Sequence, residues 1–153
     1  MTGLENRIPP PIIGVVFGLV IWLISMVTPQ YDISITLRTV LSITLVCCGF
    51  GCAIAGGIAF KMAQTTVNPL KPETASTLVN TGVFKYTRNP MYLGLTLLLL
   101  ALTFYLFAPF SIVGVFAFVL YIDRFQIQPE ERALLELFGD EFIDYKNRVG
   151  RWL

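Results

Sequence analysis

The stretch that decides the fold is NPMYLGLTLLLLALTFYLFAPFSIVGVFAFVLYI, residues 89–122, which contains no charged side chain. As one α-helix its 34 residues would be about 51 Å long, whereas the hydrocarbon core of a bilayer is about 30 Å thick. Ala108-Pro109 lies near its middle, and proline lacks the backbone N–H that a continuing helix needs. We therefore predict a short hairpin of two spans, at about 91–107 and 110–123.

Two further uncharged runs, at residues 8–31 and 39–60, precede this hairpin. Each is long enough for one membrane-crossing helix, which needs roughly 20 apolar residues. We place these spans at about 9–28 and 39–60. The first run follows a single basic residue, Arg7, and no convincing small-x-small cleavage site comes after it. We therefore interpret it as a retained first span and not as a signal peptide.

The composition indicates a membrane protein and excludes several other classes. Of the 153 residues, 55% are hydrophobic and 14% are charged, whereas soluble domains carry about 25% charged residues. The net charge of +1 argues against nucleic acid as a partner. The sequence has no histidine, and its three cysteines (Cys47, Cys48 and Cys52) lie in one apolar run. We therefore expect no metal site and no disulfide framework.

The basic residues predict the orientation of the four spans. If the N-terminus is cytoplasmic, Arg38 is the only basic residue on the far side, as the positive-inside rule requires. The cytoplasmic side then holds ten basic residues: Arg7, Lys61, Lys71, Lys85, Arg88, Arg124, Arg132, Lys146, Arg148 and Arg151. The predicted architecture is a single all-α membrane domain, residues 1–153, with a cytoplasmic loop at 61–90 and a cytoplasmic tail at 124–153. No acid or base lies inside a span, which disfavours an ion-coupled transporter.

Small residues at a spacing of four indicate close packing between the helices. Gly14 and Gly18 form one such pair, and Gly49, Ala53 and Gly57 continue the same spacing in the second span. Small side chains let two helix backbones approach each other in lipid. We expect these residues to face other helices of the bundle.

Polar residues gather where the loop enters the third span. Pro69 and Pro72 prevent a regular helix in the loop, whereas Pro90 suits the first turn of the span. Arg88 and Asn89 are thus held at a helix N-terminus, where unpaired N–H groups favour an anion. Arg88 either grips such an anion or extends to the lipid headgroups.

The tail contains a second candidate element, Gln128-Pro129-Glu130-Glu131, which is typical of a helix start. Gly139 ends this helix and Asp140 begins another. We expect two short amphipathic helices, lying on the membrane or on the loop. Glu130 and Glu131 are either surface acids at a favourable helix end or partners of Arg88 and Asn89 in an interfacial pocket.

The sequence YTRNPMYLG, residues 86–94, resembles the Arg-His-Pro-x-Tyr-x-Gly motif of the isoprenylcysteine carboxyl methyltransferase and phospholipid methyltransferase superfamily. Residues 66–69 and 78–84 resemble the loop of that superfamily, and residues 130–134 and 138–151 resemble its tail. The similarity covers about residues 61–153. The first two spans match only in hydrophobicity.

The resemblance implies an integral membrane methyltransferase that uses S-adenosylmethionine and releases S-adenosylhomocysteine. It implies Arg88 and Glu130 as catalytic residues and no metal. The cofactor site that it implies consists of Arg88, Asn89, Pro90, Tyr92, Gly94, Glu130 and Glu131. Asn89 replaces the usual histidine of the motif, and an asparagine can form hydrogen bonds but cannot titrate.

The chemistry of the cofactor agrees with these residues. Its ammonium group needs an acid such as Glu130 or Glu131, and its carboxylate needs Arg88 or free N–H groups. Gly94 would let an adenosine approach the helix backbone, and Tyr86 or Tyr92 would face the sulfonium. We expect a lipid-like acceptor with its head at the cytoplasmic edge. A prenylcysteine carboxylate needs no base, whereas a phospholipid amine needs one, and the sequence leaves both open, together with the oligomeric state.

Two other functions compete with this interpretation. Sterol and steroid reductases resemble the same Arg-His-Pro-x-Tyr region and bind NADPH near it, but they are much longer proteins. The other alternative is a small membrane protein without enzymatic activity. The paired glutamates and the tail pattern favour the methyltransferase over a reductase, and the clustering of motifs at the cytoplasmic side argues against a protein without enzymatic activity.

Overall fold

The computed structural model describes residues 5–29, 31, 34–64 and 75–153, and all regular structure in these ranges is helical. The predicted loop match at residues 66–69 and the two loop prolines lie outside the described residues. The α-helices are α1 (Pro10–Val27), α2 (Ile35–Met62), α3 (Pro90–Leu106), α4 (Ile112–Ile122), α5 (Gln128–Phe138) and α6 (Asp140–Arg148). Two 3₁₀ turns, Gly82–Lys85 and Pro109–Ser111, and one π-helical turn, Asp123–Ile127, complete the helical elements of the described residues.

The predicted break in the long apolar stretch is confirmed. Helix α3 ends at Leu106, and Phe107 follows in a left-handed conformation with φ of 48°. Pro109 then begins a 3₁₀ turn that leads into α4. Within the described ranges, α1, α2 and the continuous helix Pro109–Phe138 are long and apolar enough to cross a membrane, and α3 is a shorter apolar helix.

The expected helix start at Gln128 is only partly right. The backbone stays helical from α4 through the π-helical turn into α5, and the N–H of Gln128 donates to the carbonyl of Asp123, five residues back. Pro129 has no N–H for the carbonyl of Phe125, which instead accepts the backbone N–H of Asn6 at 3.1 Å. The charge-free part of this long helix ends at Ile122, so we treat residues from Asp123 onward as lying outside the membrane.

Helix α2 packs closely against α3 through glycine. A Cβ atom on Gly94 would lie 2.6 Å from the carbonyl oxygen of Gly49, so neither backbone has room for a side chain there. Ala53 lies beside Gly94, and Gly56 faces Pro90. The prediction for Gly57 is wrong, because a Cβ atom there would meet nothing within 4 Å. The small residues of α2 that face α3 are therefore Gly49, Ala53 and Gly56. Their spacing changes from four residues to three because a helix has about 3.6 residues per turn.

Two apolar clusters organise the chain. The bundle core, formed by α1, α3, α4 and the π-helical turn, consists of Ile13, Ile21, Tyr92, Leu99, Val115, Phe118, Ile122 and Ile127. The second cluster joins the end of α2 and the loop to α6 and consists of Ala59, Leu78, Val79, Phe84, Phe142 and Tyr145. The hydroxyl of Tyr145 donates to the carbonyl of Phe84 at 2.7 Å. The second amphipathic helix therefore packs on the loop.

Candidate active site

The segment before α3 is joined to the C-terminal tail by backbone and side-chain hydrogen bonds. The N–H of Arg88 donates to the carbonyl of Gly150 at 3.0 Å. The side-chain amide of Asn89 donates to the carbonyl of Arg151 at 2.9 Å, and the backbone N–H of Asn89 donates to the hydroxyl oxygen of Thr87 at 3.1 Å. Asn89 thus uses its side chain to hold the tail, a role that does not require a titratable group.

The guanidinium of Arg88 is buried and largely occupied by its own protein. One terminal nitrogen donates to the carbonyls of Lys146 and Val149 at 2.9 and 2.8 Å, and the other lies 2.8 Å from the carboxylate of Glu131. The side chain of Arg88 is only 8% exposed, so the headgroup alternative is wrong. Its Nε atom is buried and has no hydrogen-bond partner among the described residues.

Glu131 lies between two arginines. Arg151 donates from Nη2 to one oxygen of Glu131 at 2.5 Å and from Nε to the other at 3.1 Å. Arg151 also contacts Asp123 at 2.8 Å, so Arg88, Glu131, Arg151 and Asp123 form a chain of alternating charges. Burial alone would raise the pKa of Glu131, but the hydrogen bonds and charges of Arg151 and Arg88 outweigh it and lower the pKa below its usual range.

Glu130, the neighbouring residue, lies in a different environment. It accepts a short hydrogen bond from the hydroxyl of Tyr92, whose ring is buried in the bundle core. Burial raises the pKa of Glu130 to about 8. The charge of Glu131 also raises this pKa, whereas the hydrogen bond from Tyr92 lowers it. Two adjacent glutamates therefore differ in state near neutral pH, with Glu131 ionised and Glu130 mostly protonated.

The structure brings together most, but not all, of the predicted site residues. Arg88 and Asn89 meet the tail, and Tyr92 meets Glu130. Pro90 and Gly94 face α2 instead, so the expectation that Gly94 leaves room for an adenosine is not supported: the backbone of Gly49 occupies that space. Tyr86, the other tyrosine considered, is 74% exposed.

Arg151 and Asp123 belong to the site although little in the sequence points to them as site residues. Both belong to the polar junction, a name we use for Arg88, Glu131, Arg151 and Asp123. The available signal was weak. Asp123 is the first charge after the last span, and Arg151 follows α6 with no acid next to it in the sequence.

A cavity of about 400 Å³ lies beside the polar junction, between α5 and α6. Its size is within the range of small-molecule sites. Its lining combines polar and apolar side chains: Gln128, Glu131, Arg132, Leu135, Phe142, Ile143, Lys146 and Asn147. A carboxylate offers about four acceptor positions, and hydrogen bonds from Arg88 and Arg151 occupy three of those of Glu131.

Glu131 lines the cavity, and its free acceptor position suits an ammonium group of a ligand. Arg132 and Lys146 line the same cavity and suit a carboxylate group, whereas the buried Nε of Arg88 is not part of the lining. The apolar wall of Leu135 and Phe142 suits an aromatic ring. In the part of the chain that the structure describes, no group of three or more His, Cys, Asp or Glu side chains converges as a metal site would require.

Comparison with known proteins gives two kinds of match. The family model described as phospholipid methyltransferase matches residues 37–141. The protein-S-isoprenylcysteine O-methyltransferase of Saccharomyces cerevisiae is 37% identical over 128 residues, which cover 79% of this chain and 51% of the yeast protein. The chain thus spans about half the length of that relative. An uncharacterized protein of Haemophilus influenzae is 49% identical over 63 residues, which are 41% of this chain and all of that protein. No solved structure matches the chain significantly.

Proposed function

Because the chain belongs to the phospholipid methyltransferase family, we propose that it transfers a methyl group from S-adenosylmethionine to an amphiphilic acceptor at the membrane surface. The observation that carries this proposal is the pairing of the first turn of α3, and of the segment before it, with the two adjacent glutamates. Arg88 contacts Glu131, and Tyr92 contacts Glu130. Residues far apart in the sequence thereby form one polar site beside a cavity of suitable size.

The residues of the site divide the recognition of the cofactor between them. When bound, S-adenosylmethionine supplies an activated methyl group on a sulfonium. Glu131, ionised between its two arginines, would accept the ammonium group, and Arg132 or Lys146, the cations that line the cavity, would pair with the carboxylate. Leu135 and Phe142 would provide apolar contacts for the adenine ring. The free acceptor position of Glu131, the two cations and the apolar wall of the cavity therefore fit this cofactor.

The protein has little covalent chemistry to perform in such a transfer. It must hold the acceptor in line with the bond that breaks and exclude water from the reacting atoms. An acceptor carboxylate is already ionised near neutral pH and needs no base. An acceptor amine must first lose a proton, and Glu130 would be the base if the amine reaches the side of α5 that faces Tyr92, where the pKa of this carboxyl is about 8.

Both acceptor classes have support. The yeast relative is named for O-methylation of isoprenylcysteine. The family model is named for methylation of phospholipid, and the pKa of Glu130 suits an acceptor that is an amine. The experiment is to incubate the purified protein with labelled S-adenosylmethionine and either a farnesylcysteine derivative or phosphatidylethanolamine vesicles. Mass spectrometry then identifies the methylated product.

The pH profile separates the two chemistries. The rate of carboxylate methylation should change little between about pH 6 and 9, because the acceptor carboxylate is fully ionised throughout that range. Methylation of an amine should rise as Glu130 deprotonates near pH 8. With the amine, Glu130→Gln should lower the rate about 10²-fold or more, whereas the exposed Glu136→Gln on the same helix should not. Binding of NADPH but not of S-adenosylmethionine would favour a reductase, and binding of neither would favour a non-enzymatic protein.

We further propose that the site and both termini face the cytoplasm, because ten of the eleven basic residues then lie on that side. The lipid-like acceptor would reach the site from the surrounding membrane lipids. Labelling of single cysteines introduced at Lys146 or Arg38 with a membrane-impermeant reagent in intact cells tests this orientation. Labelling at position 38 alone supports the proposed orientation, whereas labelling at position 146 alone would show that the site and both termini face the other side of the membrane.

A further inference from the structure

We infer that Arg151 is a positioning residue for the proposed methyl transfer, and that it acts by fixing the Glu131 carboxylate beside the cavity. This inference rests on the proposed function and goes beyond it: Arg151 belongs to the stretch that resembles the superfamily's tail, but neither that resemblance nor the relatives' names assign it a role. Arg151 lies after α6 in the C-terminal tail. It acts through Glu131 and does not itself line the cavity.

The contacts of Arg151 hold the carboxylate in one orientation. Two nitrogens of its guanidinium reach the two oxygens of Glu131, at 2.5 and 3.1 Å, and the third contacts Asp123 at 2.8 Å. Such bidentate pairing is directional because the guanidinium and the carboxylate are both planar. The carbonyl of Arg151 is held in turn by the side chains of Asn89 and Thr87, at 2.9 and 3.4 Å. Both ends of this residue are therefore fixed.

The π-helical turn explains how Asp123 and Glu131 can share one arginine. On a regular α-helix each residue turns about 100°, so two residues eight apart point about 80° away from each other. A π-helical turn accommodates one extra residue, so eight positions that include such a turn count as seven regular steps. The two side chains then point within about 20° of each other. The turn Asp123–Ile127 lies between them, so both carboxylates reach Arg151. A local irregularity of the helix thus serves this contact.

The charged groups around Glu131 indicate what the loss of Arg151 would do. Arg88 faces Glu131 from the segment before α3, and Glu130 precedes it on its own helix. Arg132 and Lys146 line the same cavity from α5 and α6. Without Arg151, one close cation and both of its hydrogen bonds disappear, while burial of Glu131 continues to favour the protonated carboxyl.

A purely structural role for Arg151 makes a different prediction. If Arg151 only attaches the tail to the bundle, its loss should lower the stability of the protein without changing how Glu131 titrates. Arg148→Gln is the matched control. It removes the same charge from an exposed residue of α6. Among the described residues, the guanidinium of Arg148 donates only to the backbone carbonyl of Asp144.

The experiment is calorimetric titration of S-adenosylmethionine into the protein in lipid nanodiscs, repeated at intervals from about pH 3 to pH 8 so that the series extends below the usual pKa of a glutamate. The acid midpoint, where cofactor affinity is half lost, reports protonation of Glu131. We expect Arg151→Gln to raise this midpoint by about one pH unit or more, Arg151→Lys to raise it less, and Arg148→Gln to leave it unchanged. Thermal unfolding of each variant shows which ones are folded at each pH.

An unchanged acid midpoint in Arg151→Gln, with affinity lowered equally at every pH, would overturn the inference in favour of a structural role. If Arg151→Gln does not fold, the midpoint of Arg151→Lys decides in the same way. If the wild-type protein binds no S-adenosylmethionine at any pH, the proposed function fails and takes this inference with it. That result is distinct from normal wild-type binding with an unshifted variant, which overturns the role of Arg151 alone.

Discussion

The bundle core and the polar junction meet at Tyr92, and they are built from different interactions. The ring of Tyr92 belongs to the apolar core, whereas its hydroxyl donates to Glu130 next to the junction. Apolar contacts in the core are non-directional, so many sequences of similar volume satisfy them. The junction needs particular charges at particular distances, because a buried charge without its partner is costly. Changes in the two regions should therefore have different consequences.

The largest expected effect is that of Glu131→Ala in the polar junction. It leaves Arg88 and Arg151 without their shared carboxylate, and we expect it to abolish cofactor binding. The free energy of unfolding should fall by about 3 kcal/mol, the lower end for a broken buried pair, because Arg151 is 30% exposed. The protein should still fold, since the bundle core does not include Glu131. Calorimetric titration and thermal unfolding measure both effects.

The control for this variant is Glu136→Ala, which removes an exposed glutamate from the same helix and should change neither quantity. Unchanged cofactor affinity in Glu131→Ala would contradict the assignment of the site.

In the bundle, Gly94→Ala tests the close approach of α2 and α3. The new methyl group would meet the carbonyl oxygen of Gly49 at 2.6 Å, so the helices must separate. We expect a loss of about 1–3 kcal/mol of stability, with cofactor affinity per folded molecule retained. Gly57→Ala, which adds the same methyl group on the open face of α2, is the control and should be nearly neutral. Equal melting temperatures for the two variants would contradict the observed packing.

A smaller effect is expected of Tyr92→Phe, at the border between the two regions. The ring stays in the core, but the hydrogen bond to Glu130 is lost, at a cost of about 1 kcal/mol. Because that bond lowers the pKa of Glu130, its removal should raise the pKa further above 8. The pH profile of amine methylation should shift to higher pH, as a radiometric assay would show. A pH profile identical to that of the wild type would show that Tyr92 does not influence the pKa of Glu130.

The two glutamates also predict a pH dependence of stability, with opposite signs. Glu130 has a raised pKa in the folded state, so its contribution declines as the pH rises from about 4.5 to 8. Glu131 has a lowered pKa, so its contribution is present above its unfolded pKa and is lost as the pH falls through the folded one. Glu130→Gln should flatten the decline between pH 4.5 and 8, measured by thermal unfolding. A decline of the same size in that variant would assign it to other groups.

Much of the fold could be predicted because the deciding signals are local. Runs without charge mark α1 to α4 to within a few residues, and the Ala108-Pro109 pair marks the break between α3 and α4. The continuous helix from α4 into α5 could not be predicted from Pro129, which is equally compatible with a helix start and with a π-helical turn. The choice depends on the segment before α1, where Asn6 provides a donor for the carbonyl of Phe125.

The candidate site shows the same division. The motif around Arg88 and the paired glutamates could be found from their order along the chain, but their partners could not. The second apolar cluster places α6 against the loop, and that packing brings Arg151 to Glu131. Sequence order does not indicate which cation a carboxylate will face after such packing.

The sequence by itself determined that the chain forms apolar helices fit for a membrane and that its charged residues lie at the ends of those helices, since a stretch of some 20 residues without charge is stable in lipid as a helix. Only the tertiary structure decided that Glu131 is the shared acid of two arginines, that Glu130 is turned toward Tyr92 and that Gly94 serves helix packing. Those outcomes depend on long-range distances and directions, to which buried charges and close backbone contacts are far more sensitive than apolar burial.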